Sequence, residues 1–235
     1  MGMHRYLGLV LVVALGGCAT FRSPEVVPAG QETAGYAPGE NTSEAAAPDP
    51  VAHLLAPPAW PPEAVATAPP FDAAALERRI HDLVNEVRDR HGLAPLAWSP
   101  SLWPVARAHS EDMARRRYFA HVNPDGEDAA ARALRHGVAL VRTTAGGYVT
   151  LGVGENLSLT HRYAEYRVKE HGTHRRFDFT WRTIEELAWQ VVASWLQSPR
   201  HRANLLSPVY GAEAIGVFRA DNEAVFITQN FLTDY

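Results

Sequence analysis

Ala214-Ile215-Gly216-Val217-Phe218-Arg219 and Ala224-Val225-Phe226-Ile227-Thr228-Gln229-Asn230-Phe231, separated by a turn at Asp221-Asn222, decide the fold. Both runs are rich in β-branched and aromatic residues and are bounded by turn formers, so together they read as a hairpin. A half-solvated hairpin alternates apolar and polar side chains. These runs are nearly continuous instead, which predicts a sheet covered on both faces. The cover comes from helices. Asp72 can cap a helix whose Leu76, Ile80, Leu83, Val84 and Val87 share one face and which Gly92 closes. Ser99 as cap, with Pro100 at the first helical position, predicts a second helix carrying Leu102, Val105, Ala106, His109 and Met113. Asn123-Pro124-Asp125-Gly126 is a turn, and a short helix follows until Gly137. Thr183-Ile184-Glu185-Glu186 fits a capping box, and the helix behind it buries Ile184, Leu187, Ala188, Val191 and Trp195. Ser198-Pro199 opens a last short helix that Pro208 limits. An α+β domain with helices on both sides of a small sheet follows, and no internal repeat is visible.

Upstream of this domain the chain changes character. Leu15-Gly16-Gly17-Cys18 holds the single cysteine, behind an apolar segment from Leu7 to Leu15 and the positive Arg5. This arrangement resembles the lipobox of bacterial lipoproteins, in which the cysteine is lipidated and becomes the mature N-terminus. The apolar segment is too short to span a bilayer, which takes roughly 20 residues, and reads as a signal peptide. Residues 1–17 are then the leader. Residues 18–70 are a lipidated, Pro/Ala-rich tether containing eleven of the seventeen prolines, with too little apolar surface to offset its ordering entropy. Extended, the tether reaches on the order of 160 Å; as a coil it averages about 40 Å. Residues 71–235 form one folded domain. The expectation is export and attachment to the envelope membrane through Cys18, on the periplasmic side of the outer membrane if the organism has two, because Ala19 rather than Asp follows the cysteine.

With Cys18 committed to lipid no disulfide is available, and the domain must rest on its apolar core. Composition allows this: 46% of residues are hydrophobic, with six Trp, eight Tyr and eight Phe. A net charge of −4 gives no basic field suited to nucleic acid, which is excluded as a partner.

Several segments, in order, resemble the CAP superfamily of cysteine-rich secretory and pathogenesis-related proteins in its bacterial form. They are Asn85 with Arg90-His91-Gly92-Leu93-Ala94-Pro95-Leu96-Ala97-Trp98; His109-Ser110-Glu111-Asp112-Met113 running on to Tyr118-Phe119-Ala120-His121 and Asn123-Pro124-Asp125-Gly126; Gly154-Glu155-Asn156-Leu157; Trp195 to Leu206; and Ile215-Gly216-Val217 with Thr228-Gln229-Asn230-Phe231. The resemblance covers the chain from about Phe71 to its end. It implies a three-layer α-β-α sandwich and a cleft lined by two histidines and two acids. Position by position, His121 matches the first histidine, Glu155 the first acid and His201 the second histidine. Where the family carries its second acid this chain reads Trp195-Leu196-Gln197-Ser198, with no carboxylate.

Two imidazoles and one carboxylate suffice to hold zinc with an open position, so His121, His201 and Glu155 are the candidate metal ligands, although no cofactor is required. Asn156, Ser198, His109 and Gln229 complete the expected cleft. Other readings stand beside these. His121 also suits fixing the turn before Asn123, Glu155 capping amides in its loop, His109 a satisfied position in the core or cleft wall, and Gln229 a buried amide bonded to backbone. His171 and His174 flank Gly172-Thr173 in an expected turn.

From His161 to Arg182 the chain is longer than the family resemblance calls for. Tyr163, Tyr166 and Val168, then Phe177, Phe179 and Trp181, alternate as in an inserted hairpin spanning 161–182. It carries six basic and three acidic residues, with Arg175 and Arg176 at its tip as the expected partner contacts. Three functions are weighed. The first is a non-catalytic envelope domain binding a small ligand, lipid or partner in the His/Glu cleft. The second is a metal-assisted hydrolase with Glu155 as general base; Ser110 and Ser198 lie near the motifs, but Ser198 is better explained as a helix cap. The third is a cell-wall module using the basic, aromatic hairpin.

Overall fold

The computed structural model describes residues 5–6, 68–144, 147–171 and 174–233, without the side chains of residues 5, 6, 170, 171, 174 and 175. Cys18, nearly all of the expected tether, Gly172-Thr173 and the Arg175 side chain therefore lie outside the described residues.

Local signals start most of the helices. Asp72 accepts from Ala75 N at 2.9 Å and starts α1 (Ala73–Arg90), which ends at His91 and Gly92. Asp128 accepts from Ala131 N at 2.8 Å and starts α3 (Ala129–Arg135). Thr183 and Glu186 form the full capping box of α4 (Ile184–Gln197). The second helix differs from expectation. Ser99 does cap, accepting from Leu102 N at 3.3 Å, but what it caps is a leading turn; α2 itself runs Trp103–Arg116, with Pro104 in its first turn. At α5 (Pro199–Leu205), Ser198 occupies the cap position without a side-chain cap bond.

The strands form β1 (Arg5–Tyr6), β2 (Ala97–Trp98), β3 (Val141–Thr144), β4 (Gly147–Thr150), β5 (Val153–His161), β6 (Tyr163–His171), β7 (His174–Trp181), β8 (Tyr210–Arg219) and β9 (Ala224–Thr233). The central sheet has the order β2-β8-β9-β5, antiparallel except for the β2–β8 pair. The β8–β9 hairpin is the one expected. Glu223 turns it with φ 63°, and its N–H donates to Ala220 O. β6 and β7 form the long hairpin, with Tyr166 opposite Phe179 and Val168 opposite Phe177; β1 adds to its edge, and β3–β4 pair separately. At the root of the long hairpin, Arg162 donates to Glu223 at 2.9 Å and to Pro69 O at 2.5 Å, and lies against the rings of Phe71 and Trp181. The start of the domain is thereby pinned to that root.

Three layers result. On one face Ile215, Val217, Val225, Ile227 and Phe231 pack with Leu76, Ile80 and Val84 of α1 and Leu187, Val191 and Trp195 of α4. On the other, Leu157, Leu159 and Phe226 pack with Met113, and Ala214 with Leu102 and Val105 of α2. Gly216 permits α2 to approach: a Cβ there would lie 2.1 Å from Arg107 N. Ser110, one of the two serines near the motifs, is fully buried at this contact, donating to Gly216 O at 2.9 Å and bonding Thr228 Oγ1 at 2.8 Å. It is a packing residue, not a nucleophile.

Candidate functional site

Glu155 lies on strand β5 and not in a loop, opposite Asn230 of β9. Alternation on β5 turns it to the α2 face and Asn156 to the α1 face. Its carboxylate is buried and fully engaged. Oε1 accepts from His121 Nδ1 at 2.9 Å; Oε2 accepts from Arg132 Nη2 at 2.5 Å and from Asn230 Nδ2 at 3.0 Å. His109 Nε2 stands 3.8 Å from Oε1. Burial alone raises a carboxyl's pKa, but the His121 hydrogen bond and the Arg132 charge outweigh it and hold Glu155 at about 2.

Arg132, absent from the sequence-based candidates, organises this cluster. It sits on α3, which packs on β5, and shares the helix's buried face with Ala129 and Ala133. Its guanidinium also donates to His121 O and Glu127 O, each at 2.8 Å. The spacing of Ala129, Arg132 and Ala133 on one helical face is the one sequence signal for it, and it is weak in so alanine-rich a stretch.

The two other histidines are held neutral. His109 is buried on α2 with Nε2 donating to Ala120 O at 3.1 Å; burial, reinforced by Arg132, lowers it to about 4. His201, buried on α5, is lowered to about 4 by burial and by the charge of nearby His121. Tyr118 donates its hydroxyl proton to Asp112 Oδ2 at 2.5 Å and is shifted upward by burial and by that bond.

The remaining candidates separate from this cluster. Asn156 and Gln229 face α1, bonded to each other at 3.0 Å, so Gln229 is a buried amide and not a cleft donor. Ser198 stays at the α4–α5 joint. Arg176 pairs with Asp178 at 3.0 Å on the exposed side of the hairpin. The open cleft in front of Glu155 has a volume of about 440 Å³, and its walls are Ala108, His109, Asp112, Asn123, Asp125, Glu127, Arg132 and Arg135. His109 and Arg132, both buried, thus form the floor of the cleft, with Glu155 as the support behind them.

The expected zinc set does not fit. Both oxygens of Glu155 already accept hydrogen bonds, one from a guanidinium whose fixed charge repels a cation. Among the described residues no group of three or more His, Cys, Asp or Glu is arranged to hold a metal. Among them, too, no helix is long and apolar enough to cross a membrane.

Comparison with known proteins agrees with this fold. The model of the CAP: Cysteine-rich secretory protein family matches residues 81–231. The uncharacterised protein YkwD of Bacillus subtilis is 27% identical over 202 residues, covering 86% of this chain and 64% of that protein. The uncharacterised membrane protein YlbC of the same organism is 30% identical over 156 residues, covering 66% and 34%. The chain thus spans less than two thirds of either relative. An outer surface protein of Borrelia burgdorferi shares the fold, with a TM-score of 0.51 at 14% identity over 70% of this chain and 97% of that one.

Proposed function

The chain belongs to the cysteine-rich secretory protein (CAP) family, and we propose that it is an envelope domain that binds a small polar ligand in the cleft before Glu155 without turning it over. One observation carries this reading: the buried Glu155 carboxylate accepts from Arg132, Asn230 and His121 and is held at about 2. A general base needs a free lone pair and a pKa near the working pH. Glu155, held at about 2, does not offer that pKa. Its work is to fix Arg132, which lines the cleft, and His121 behind it. Arg132 Nε and Asn230 Oδ1 are buried with no hydrogen-bond partner among the described residues. A cleft of about 440 Å³ falls within the size range of small-molecule sites, roughly 300–1,000 Å³.

The same proposal places the domain at the envelope, held by lipid on Cys18. The Leu15-Gly16-Gly17-Cys18 motif supports this, as do a membrane protein and an outer surface protein among the similar chains.

The test is native mass spectrometry of the full chain extracted from its own envelope in mild detergent. The wild type is expected to carry a non-covalent small-molecule adduct. Ala108→Trp, which fills the cleft from an incompletely buried helix position, should lose it without loss of thermal stability. An adduct indifferent to Ala108→Trp overturns the reading. So does turnover of ester, peptide or glycoside probes that Glu155→Gln abolishes.

A further inference from the structure

Polar side chains are not expected in the middle of a covered sheet, yet a continuous row of them crosses this one. Glu213 on β8, Gln229 on β9 and Asn156 on β5 are each fully buried on the α1 face. Asn204 Nδ2 donates to Asn156 Oδ1 at 2.9 Å, Asn156 Nδ2 to Gln229 Oε1 at 3.0 Å, and Gln229 Nε2 to Glu213 Oε2 at 2.5 Å. Every amide points the same way because the row ends on a carboxylate that only accepts. At its far end the row holds the main chain behind the cleft walls: Asn156 Nδ2 donates to His201 O and Asn204 Nδ2 to Glu155 O, each at 3.2 Å. At its near end Glu213 Oε1 accepts from His81 Nδ1 at 2.7 Å. His81 is the titratable member with access to solvent, its side chain 18% exposed.

We propose that His81 is a pH-responsive control point for the cleft, acting through Glu213, Gln229 and Asn156 on the main chain that carries Glu155 and His201. The inference rests on the cleft being the binding site. The device is steric as well as electrostatic. Neutral His81 presents a bare Nε2 to Asn85 Nδ2, 3.3 Å away. Asn85 cannot turn, since its Oδ1 accepts from Leu96 N at 2.7 Å and its Nδ2 donates to Leu96 O at 3.1 Å. Protonation aims a second N–H at that fixed amide, so the ring leaves Asn85 and tightens on Glu213. The other groups around the pair are Asp82 on the same helix, the Trp98 ring at 5.4 Å, and Arg88, whose charge interacts with Glu213. Burial works against the imidazolium, but the hydrogen bond and charge of Glu213 outweigh it, raising the His81 pKa above its ordinary value. The contact with Asn85 opposes this only weakly, being long where the Glu213 contact is short. His201 itself titrates at about 4, well below the His81 range.

NMR of the full chain in detergent, between about pH 5 and pH 8 where histidine switches, tests this without any ligand. The Asn156 side-chain amide and the His201 and Glu155 carbonyl carbons are expected to show an inflection with the midpoint of the His81 imidazole. His81→Gln keeps a donor for Glu213 and cannot titrate, so the shared inflection should disappear. Its persistence in His81→Gln overturns the proposal, as does a wild type in which His81 titrates and these signals stay flat, a result that does not depend on the variant folding. Because the readout needs no ligand, coupling without any adduct would sink the cleft reading alone; an adduct without coupling would sink only this one.

Discussion

Arg132→Met isolates the interaction on which the site depends. The substitution keeps a long apolar stem on the buried face of α3 but removes the bonds to Glu155 Oε2, His121 O and Glu127 O. Glu155 is then a buried carboxylate with only Asn230 and His121 to support it. Removing one partner of a buried ion pair costs about 3–5 kcal/mol because the other charge is left uncompensated. For a domain of this size that is a fall in Tm on the order of 10 °C. The assay is urea unfolding followed by tryptophan fluorescence at neutral pH, for wild type, Arg132→Met, Glu155→Gln and the double variant. If the cost is the stranded charge, Glu155→Gln should restore part of the stability lost in Arg132→Met. With Arg132 gone, burial pushes the Glu155 pKa above its unfolded value, so the penalty should shrink as pH falls and the carboxyl protonates. A coupling energy below about 0.5 kcal/mol, the level at which independent sites simply add, would refute the reasoning.

Two further outcomes follow from buried groups. His109 and His201 titrate at about 4 when folded and at about 6.5 when unfolded. Between those values the unfolded chain binds more protons, so stability falls as pH drops through that window, by about 3 kcal/mol for each histidine. Glu155, held at about 2, adds its own loss only below about 4.5. A urea midpoint flat from about pH 6.5 to pH 4 contradicts neutral burial. At Gly216, alanine would set its Cβ 2.1 Å from Arg107 N and 2.2 Å from Ala106 C. These are backbone atoms, so α2 must lift off β8 at a cost of about 1–3 kcal/mol. A thermal scan showing Gly216→Ala as stable as wild type would disprove the close approach.

What the amino-acid sequence disclosed, and what it hid, divides along physical lines. Asp72, Thr183 and the β8–β9 runs were legible because each signal is local: a cap acts within three residues and a covered strand shows as unbroken apolarity. Ser99-Pro100 misled because the same local chemistry also caps a turn one step ahead of a helix. β5 escaped notice because Glu155, Asn156, Ser158 and Thr160 interrupt its apolar period; all are buried, and Glu155, Asn156 and Thr160 bond partners distant in sequence. Arg132 was hidden for the same reason. In Ala129-Ala130-Ala131-Arg132-Ala133 it looks like a solubilising residue until α3 is laid over β5. His121 and Glu155, named from the family resemblance, do meet. Asn156 and Gln229 meet each other on the opposite face, a separation fixed by strand alternation.

That separation gives the sheet two buried carboxylates with opposite properties. Glu155, facing α2, is balanced by a guanidinium that does not lose its proton in any ordinary range, so the charge state of that pair does not vary with pH until the carboxyl itself is protonated. Glu213, facing α1, is balanced by an imidazole, whose proton is exchangeable near neutrality. Side-chain amides run from the Glu213 carboxylate to the main-chain carbonyl of Glu155, their direction set by the acceptor at one end. A fixed pair gives the cleft a constant shape; a titratable pair behind it gives that shape a control. Exchanging the counter-ions would reverse the roles, leaving the cleft sensitive to every proton and the far face inert. On the reading proposed above, an invariant pair behind the cleft and a variable one across the sheet let acidity adjust binding while leaving the charge of the Arg132–Glu155 pair unchanged.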